Sequence, residues 1–198
     1  MEKLIIIGAG GHGRVVSETA KLNGYKEIDF LDDADKQTAV GKVSDFIKYI
    51  DEADFIVAIG SNAVRMKIQF DLKKSGANIV SLIHPNAIVS ESVSIGKGTV
   101  VMAGAVINAG AVIGDGAIIN TCASVDHDCK IGDFSHISVG ARICGTVAIG
   151  NGTWIGAGTT VINNIRICDE CLIGAGAVVI ENIDKNGTYV GVPVRKIK

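Results

Sequence analysis

From Ala87 to Asn182 the chain divides, without an insertion, into sixteen consecutive six-residue units. The third place of every unit is Ile or Val, from Val89 to Val179. The first place is mostly Ala, Cys, Ser or Thr, and the fourth is often Gly, as at Gly96, Gly114, Gly132, Gly150, Gly156 and Gly174. A short fixed period is the mark of a solenoid, in which each unit can bury its apolar face only by stacking on its neighbours. Places one and three of an extended segment point to the same side, so each unit supplies two or three strand residues and then a turn. At three units per coil they would make an eighteen-residue triangular coil, and sixteen would make a little over five coils. Ile and Val then stack inside the prism, while Gly and Asn serve turns that need positive φ. An ordinary β-sandwich does not require an aliphatic residue at all sixteen positions.

The other bulk properties agree with a narrow core of branched aliphatics: the 198 residues include 25 glycines and only 5% aromatics. The formal charge of −2 and the lack of a basic run leave nucleic-acid or anionic-membrane binding without an electrostatic basis. The opening MEKLIIIGAGG holds one short apolar run that turns into glycines, which reads as neither a signal peptide nor a membrane-inserting helix. A cytoplasmic location is expected. All five cysteines lie inside the units, and an odd number without an export signal argues for reduced thiols. Cys168 and Cys171 form a CxxC with no second ligand pair, so they read as packing residues.

Before the units, strands and helices alternate. Lys3 to Ile7 reads as a buried strand ending in Gly8-Ala9-Gly10-Gly11-His12-Gly13, followed by a helix that stops at Asn23-Gly24. Further strands are expected over Ile28 to Leu31, Phe55 to Ile59 and Asn78 to Leu82. Helices are expected over Ser44 to Ile50 and Ala63 to Lys74. This alternation predicts a small Rossmann-like parallel α/β domain over residues 1–83, with His84-Pro85 as the linker to a β-helix and tail over 84–198. The glycines fit G-x-G-x-x-G with an acid about twenty residues on, the pattern that brings backbone N–H groups to a pyrophosphate at a helix N-terminus. A tight structural turn, an NAD site and a nucleotide carried by a sugar substrate all satisfy that pattern.

More of the chain carries a specific likeness. G-x-x-G-H-G, then Asp32-Asp33, Ile59-Gly60-Ser61-Asn62, Val125-Asp126-His127-Asp128 and Phe134-Ser135-His136-Ile137-Ser138-Val139-Gly140 together resemble the bacterial nucleotide-sugar N-acetyltransferases of the PglD/NeuD type, within the hexapeptide-repeat acyltransferases. The resemblance implies a left-handed parallel β-helix and acetyl transfer from acetyl-CoA to the 4-amino group of a UDP-, GDP- or dTDP-linked 4-amino-4,6-dideoxy sugar for a surface glycan or glycoprotein. UDP is the leading expectation. It also implies a homotrimer with the site in a groove between subunits. In the first domain it places Gly10, Gly11 and His12 at the phosphates, Asp32 and Asp33 at the uridine or ribose, and Gly60 beside the base.

An ammonium has no lone pair, so amine acetylation needs a base, and His suits that task near neutral pH. The resemblance makes His127 the base and Asp128 its orienting acid, with direct attack on the thioester. His127 occupies a fifth place, in an outward turn, where a solvated surface histidine is the other reading. Eighteen residues on, Gly145 is set to offer its backbone N–H to the developing oxyanion. Asn120 matches a position near the sugar, an Asn turn ladder being its alternative. His136 matches a contact of the CoA pyrophosphate region, Ala157 and Ala175 match pantetheine contacts, and Gly156 and Gly174 would let the arm pass close to backbone. Arg195 and Lys196 read either as partners of the CoA phosphates or as a solvated tail. A γ-carbonic-anhydrase-like zinc enzyme would need His84, His127 and His136, which are unevenly spaced, so no metal is expected. Sialic acid O-acetylation keeps the same base and remains open. A non-catalytic nucleotide-sugar sensor would not need the His127-Asp128 pair.

Overall fold

A computed structural model describes residues 2–34 and 37–198. The first domain is a five-stranded parallel sheet, with β1 Lys3–Ile7, β2 Glu27–Leu31, β3 Ala39–Gly41, β4 Asp54–Val57 and β5 Asn78–Ile79 in the order β3-β2-β1-β4-β5. Successive residues of β1 alternate between two cores, as strand geometry requires. Leu4 and Ile6 pack with Val16 and Ala20 of helix α1, Gly11–Leu22, while Ile5 and Ile7 pack with Leu72 of helix α2, Asn62–Lys74. The segment expected to be helical over Ser44 to Ile50 is a 3-10 turn, Val43–Tyr49. The short strand β3 had no sequence signal, because its three residues carry no apolar alternation.

The expected strand over Asn78 to Leu82 divides at Val80-Ser81. Asn78–Ile79 completes the sheet, whereas Leu82–Ile83 pairs with Val100–Val101 and is already the first rung of the β-helix. Residues 81–86 are therefore a further unit in phase with the other sixteen, with Ser81 at the inward first place and Ile83 at the third. Its neighbours set the register: Ser81 Oγ donates to the Gly96 carbonyl at 2.7 Å and accepts from the Thr99 N–H at 3.2 Å.

The units form three parallel ladders. One runs from Ile88–Val89 to Val178–Val179, a second from Ser94–Ile95 to Arg166–Ile167, and a third from Leu82–Ile83 to Cys171–Ile173, where a terminal hairpin extends it. Each residue pairs with the one eighteen positions on, as Ile119 with Ile137 and Ile137 with Ile155. From Val101 to Val179 every third-place residue is at most 3% exposed. Hydroxyls at inward first places are satisfied locally: Thr99, Ser135, Thr153 and Thr159 each donate to the carbonyl fifteen residues on, at 2.7–2.9 Å. This removes the cost of burying an unpaired polar group.

The glycines have two jobs. The left-handed conformation falls at the sixth place, where Gly104 and Gly110 stand and where Cys122, Asp128 and Phe134 adopt it without being glycine. The fourth-place glycines are needed instead for close stacking of coils; a Cβ on Gly150, for example, would overlap the Asp169 nitrogen. The domains share a core. Leu82, Val100, Met102 and Ile118 of the β-helix pack in one cluster with Leu4, Ile6, Val16, Ala20 and Ile56. Among the described residues no helix is long and apolar enough to cross a membrane.

Ile137 is wholly buried in the prism core. Ile137→Ala is expected to cost about 2–5 kcal/mol through lost burial and the cavity left behind. Val139→Ala, two residues away but half exposed, should change stability by no more than about 0.5 kcal/mol. Denaturant unfolding of the two variants checks this.

Candidate active site

The prism has three kinds of corner. On the corner after the second ladder, fifth-place side chains staple successive coils: Asp115, Asp133, Asn151 and Asp169 each accept the fifth-place N–H one coil earlier at 2.8 Å. The corner after the first ladder runs Ala109, His127, Gly145 and Asn163 in the same place. Here the stapling is replaced by a polar cluster. Asp126 Oδ1 accepts from the His127 N–H and from Asn108 Nδ2, both at 2.8 Å. His127 Nδ1 lies 2.9 Å from Asp128 Oδ2.

Asp128 reaches back along the imidazole because its backbone is left-handed, at φ 57°, a conformation that Asp adopts more readily than most residues. An ionised carboxylate only accepts, so Nδ1 of a neutral His127 carries the proton and Nε2 keeps its lone pair. The Asp128 hydrogen bond first, and the charge of Asp126 next, hold the His127 pKa above that of an ordinary histidine. The imidazole is exposed, yet its Nε2 edge rests on Gly145, where a Cβ would lie 2.5 Å from Nε2. The buried Gly145 N–H has no acceptor among the described residues. Asp126, given no role from sequence, is thus part of the cluster. Its signal was its place in the Asp-His-Asp turn.

At the carboxyl edge of the sheet the order changes direction between β1 and β4, the crevice in which open α/β sheets bind ligands. Gly10 is the N-cap of α1 and has no capping side chain, and the first-turn amides of such a helix have no intrahelical partner. Gly10 and Gly60 face open space, and a Cβ on Gly11 would meet only the Arg14 guanidinium, at 3.9 Å. Gly13 is the packing glycine of the loop, since a Cβ there would overlap the Gly8 carbonyl. Asp32 is partly committed to holding this loop: Oδ2 accepts the Ala9 N–H and Oδ1 the Ala34 N–H, both at 2.8 Å. Asp33 accepts the Val43 N–H at 3.0 Å and lines two clefts, one of about 320 Å³ shared with Asp32 and one of about 1010 Å³ shared with Phe46 and Lys67.

His136 lies where the first domain covers the third ladder, near enough to His12 for their charges to interact. His136 is 7% exposed and stacks on Trp154 with centroids 4.9 Å apart. Asn120 Oδ1 accepts the Thr121 N–H at 2.8 Å, which turns Asn120 Nδ2 toward His136 Nε2 at 3.0 Å. Burial first, then the Arg65 charge, lowers the pKa of His12 to about 4 and that of His136 to about 3, with His12 adding to the latter. Both imidazoles are neutral near pH 7, and His12 Nε2 and His136 Nδ1 have no hydrogen-bond partner among the described residues.

Ala157 and Ala175 are exposed on the corner that also carries Asn120, whereas His127 and Gly145 lie on the next corner along the chain. Gly156 and Gly174 support packing: a Cβ on Gly156 would lie 2.6 Å from the Ala175 nitrogen, and one on Gly174 would lie 2.7 Å from Val190. Arg195 and Lys196 are exposed on the terminal hairpin, where Lys196 Nζ donates to the Asn186 carbonyl at 2.7 Å. Thus His127, Asp128 and Gly145 form one cluster and Asn120 and His136 another, with His12 in electrostatic reach of His136. The alanines stand on the corner between two ladders, apart from the base. Among the described residues, no three His, Cys, Asp or Glu side chains are grouped to hold a metal ion.

Residues 3–72 match the family described as PglD N-terminal domain, and residues 146–181 match bacterial transferase hexapeptide (six repeats). The chain is 38% identical over 113 residues to UDP-N-acetylbacillosamine N-acetyltransferase of Bacillus subtilis, a stretch that is 52% of this chain and 52% of that one. The match thus spans about half the length of that curated relative. The acetyltransferase domain of PglB from Neisseria gonorrhoeae superposes with a TM-score of 0.95 at 40% identity, covering 100% of both chains. That domain has also been solved in complex with acetyl coenzyme A, with a TM-score of 0.93, 40% identity and 99% of both chains covered. A histidine-to-asparagine mutant of perosamine N-acetyltransferase from Caulobacter crescentus, solved with CoA and GDP-perosamine, gives a TM-score of 0.95 at 34% identity, covering 99% of this chain and 97% of that one. The chain belongs to this family of sugar N-acetyltransferases, which join a PglD-type amino-terminal domain to a hexapeptide-repeat β-helix.

Proposed function

We propose that this chain transfers acetyl from acetyl-CoA to the amino group of a nucleotide-linked 4-amino-4,6-dideoxy sugar, with UDP as the favoured nucleotide. The observation that carries the reading is the His127–Asp128 pair over Gly145, on a β-helix whose first domain has an open glycine loop at its sheet edge. Gly10, Gly11 and His12 serve the phosphates of the sugar nucleotide, Asp33 with Asp32 the ribose or base, Gly60 the base, and Asn120 the sugar. Ala157 and Ala175 line the pantetheine path, and His136 stands at the pyrophosphate end of the cofactor.

In the reaction the amine lone pair attacks the thioester carbonyl carbon and an N–C bond forms. His127 Nε2 takes the proton that the nitrogen sheds, while the Gly145 amide hydrogen-bonds the oxyanion. The C–S bond then breaks, and the imidazolium protonates the departing CoA sulfur. The cysteines take no part.

Within one chain the base and the alanines occupy different corners, so a side-by-side oligomer that brings one corner against another is needed to assemble the site. A homotrimer satisfies this with closed symmetry, and sedimentation of the purified protein should return three chains per particle. The expected location is the cytoplasm, where acetyl-CoA is made, and the product would enter surface-glycan or glycoprotein synthesis.

Free-thiol release from acetyl-CoA, measured against UDP-, GDP- and dTDP-linked 4-amino sugars beside sialic acid and CMP-sialic acid, tests the reading. Turnover with one amino-sugar nucleotide names the base and supports N-acetylation. Turnover confined to sialic acid would transfer the reading to O-acetylation and leave Asp33 without a nucleotide role.

A further inference from the structure

Asn62, Arg65 and Gln69 stand three and four residues apart on α2 and so share one face. That face lies along the corner after the second ladder. Arg65 Nε donates to the Gly116 carbonyl at 2.7 Å and Nη2 to the Phe134 carbonyl at 2.7 Å. Asn62 Nδ2 donates to the Gly152 carbonyl at 2.8 Å and Gln69 Nε2 to the Lys97 carbonyl at 2.9 Å. From its other edge Arg65 turns back to its own domain, giving Nη1 to the Ile59 and Gly60 carbonyls at 2.9 and 3.2 Å and Nη2 to Asn62 Oδ1 at 2.9 Å.

Arg65 is 0% exposed, and the acceptors named above are carbonyl and amide oxygens, none of them a carboxylate. A buried charge is costly unless its donors are met. Here the fork of five N–H groups finds five acceptors, an arrangement that the compact lysine ammonium cannot copy. One rigid planar group therefore sets the Ile59–Gly60 loop, at the carboxyl end of β4, against the prism coils that carry Gly116 and Phe134. Asn120 and His136 lie within four residues of those two contacts.

We propose that Arg65 is a positioning residue for the substrate nucleotide: it holds the Ile59–Gly60 loop in register with the β-helix, so that a nucleotide bound at the sheet edge presents its sugar to the acetyl-transfer site. This rests on the nucleotide-sugar reading above. Gln69 contacts the same corner without touching the loop, so it separates positioning from docking.

Calorimetric titration with UDP, GDP and dTDP is made on the full-length wild type, Arg65→Lys and Gln69→Ala, with thermal midpoints and, on the substrate found above, KM for each substrate. Arg65→Lys is expected to weaken nucleoside diphosphate binding by about tenfold and to raise KM for the sugar nucleotide to match, with KM for acetyl-CoA changed less than about twofold. Gln69→Ala should lower the thermal midpoint and leave nucleotide binding as in the wild type. Should Arg65→Lys fail to fold, Arg65→Gln, which retains a planar donor, is titrated under the same criteria. Unchanged nucleotide affinity in the Arg65 variant, or an equal loss in Gln69→Ala, overturns the proposal while leaving the nucleotide-sugar reading intact. A wild type that binds none of the three diphosphates overturns both.

Discussion

His127→Ala is expected to lower kcat by about 10²-fold or more while the thermal midpoint stays near that of the wild type. The imidazole is exposed and contributes nothing to the prism core, which is built from third-place aliphatics. The loss should therefore fall on chemistry and leave the fold intact. The wild-type pH profile carries the same information. Nε2 accepts a proton only when the ring is neutral, and the carboxylates of Asp128 and Asp126 hold the proton on the ring to higher pH than usual. The acid limb of kcat/KM should consequently have its midpoint above the ordinary histidine value of about 6.5. Asp128→Asn removes the leading cause of that shift, so its acid limb should move to lower pH and its maximal rate should fall as the ring loses its orienting acceptor. A wild-type rate in His127→Ala would remove His127 from the mechanism.

Gly145→Ala tests the same site from beneath. Gly145 does not have the left-handed φ that would make any side chain unfavourable. What opposes alanine is the imidazole, because the new methyl carbon would lie 2.5 Å from Nε2 and 2.7 Å from Cε1 of His127. The coil cannot yield without breaking its ladder, so the exposed ring moves. A displacement of about 1 Å in a catalytic group can cost about 10²-fold, and a loss of that order in kcat is expected with an unaltered thermal midpoint. Ala109, one coil below His127 in the same column, makes a control: Ala109→Ser should retain the wild-type rate.

The β-helix was legible because its period is rigid: an aliphatic every sixth residue has no other use, and the pairing of Ile119 with Ile137 follows from it. The division of labour among glycines was less so, because fourth-place and sixth-place Gly look alike in sequence, and only the approach of the next coil separates close packing from positive φ. The first unit was hidden by its role as a bridge. Ser81 to Asn86 carries His84 and Pro85, which read as a linker, yet Ser81 and Ile83 keep the phase. In the candidate site, His127 and Asp128 were legible from an unusual turn. Arg65 was not, since arginine on an amphipathic helix reads as solvated. The clue was a polar stripe, Asn62, Arg65 and Gln69, spaced like a buried face. His136 shows the converse limit, for its motif marks it as notable, but its stacking on Trp154 under the first domain depends on contacts between residues distant in sequence.

The most direct test follows the new bond itself. The wild-type enzyme would be given acetyl-CoA labelled with carbon-13 at the acetyl carbonyl, together with the preferred sugar nucleotide labelled with nitrogen-15 at its amine. The product should show a one-bond coupling between the two labels, absent when His127→Ala replaces the wild type over the same interval. Label recovered on a sugar oxygen, or only as free acetate, would contradict amine acetylation by this site.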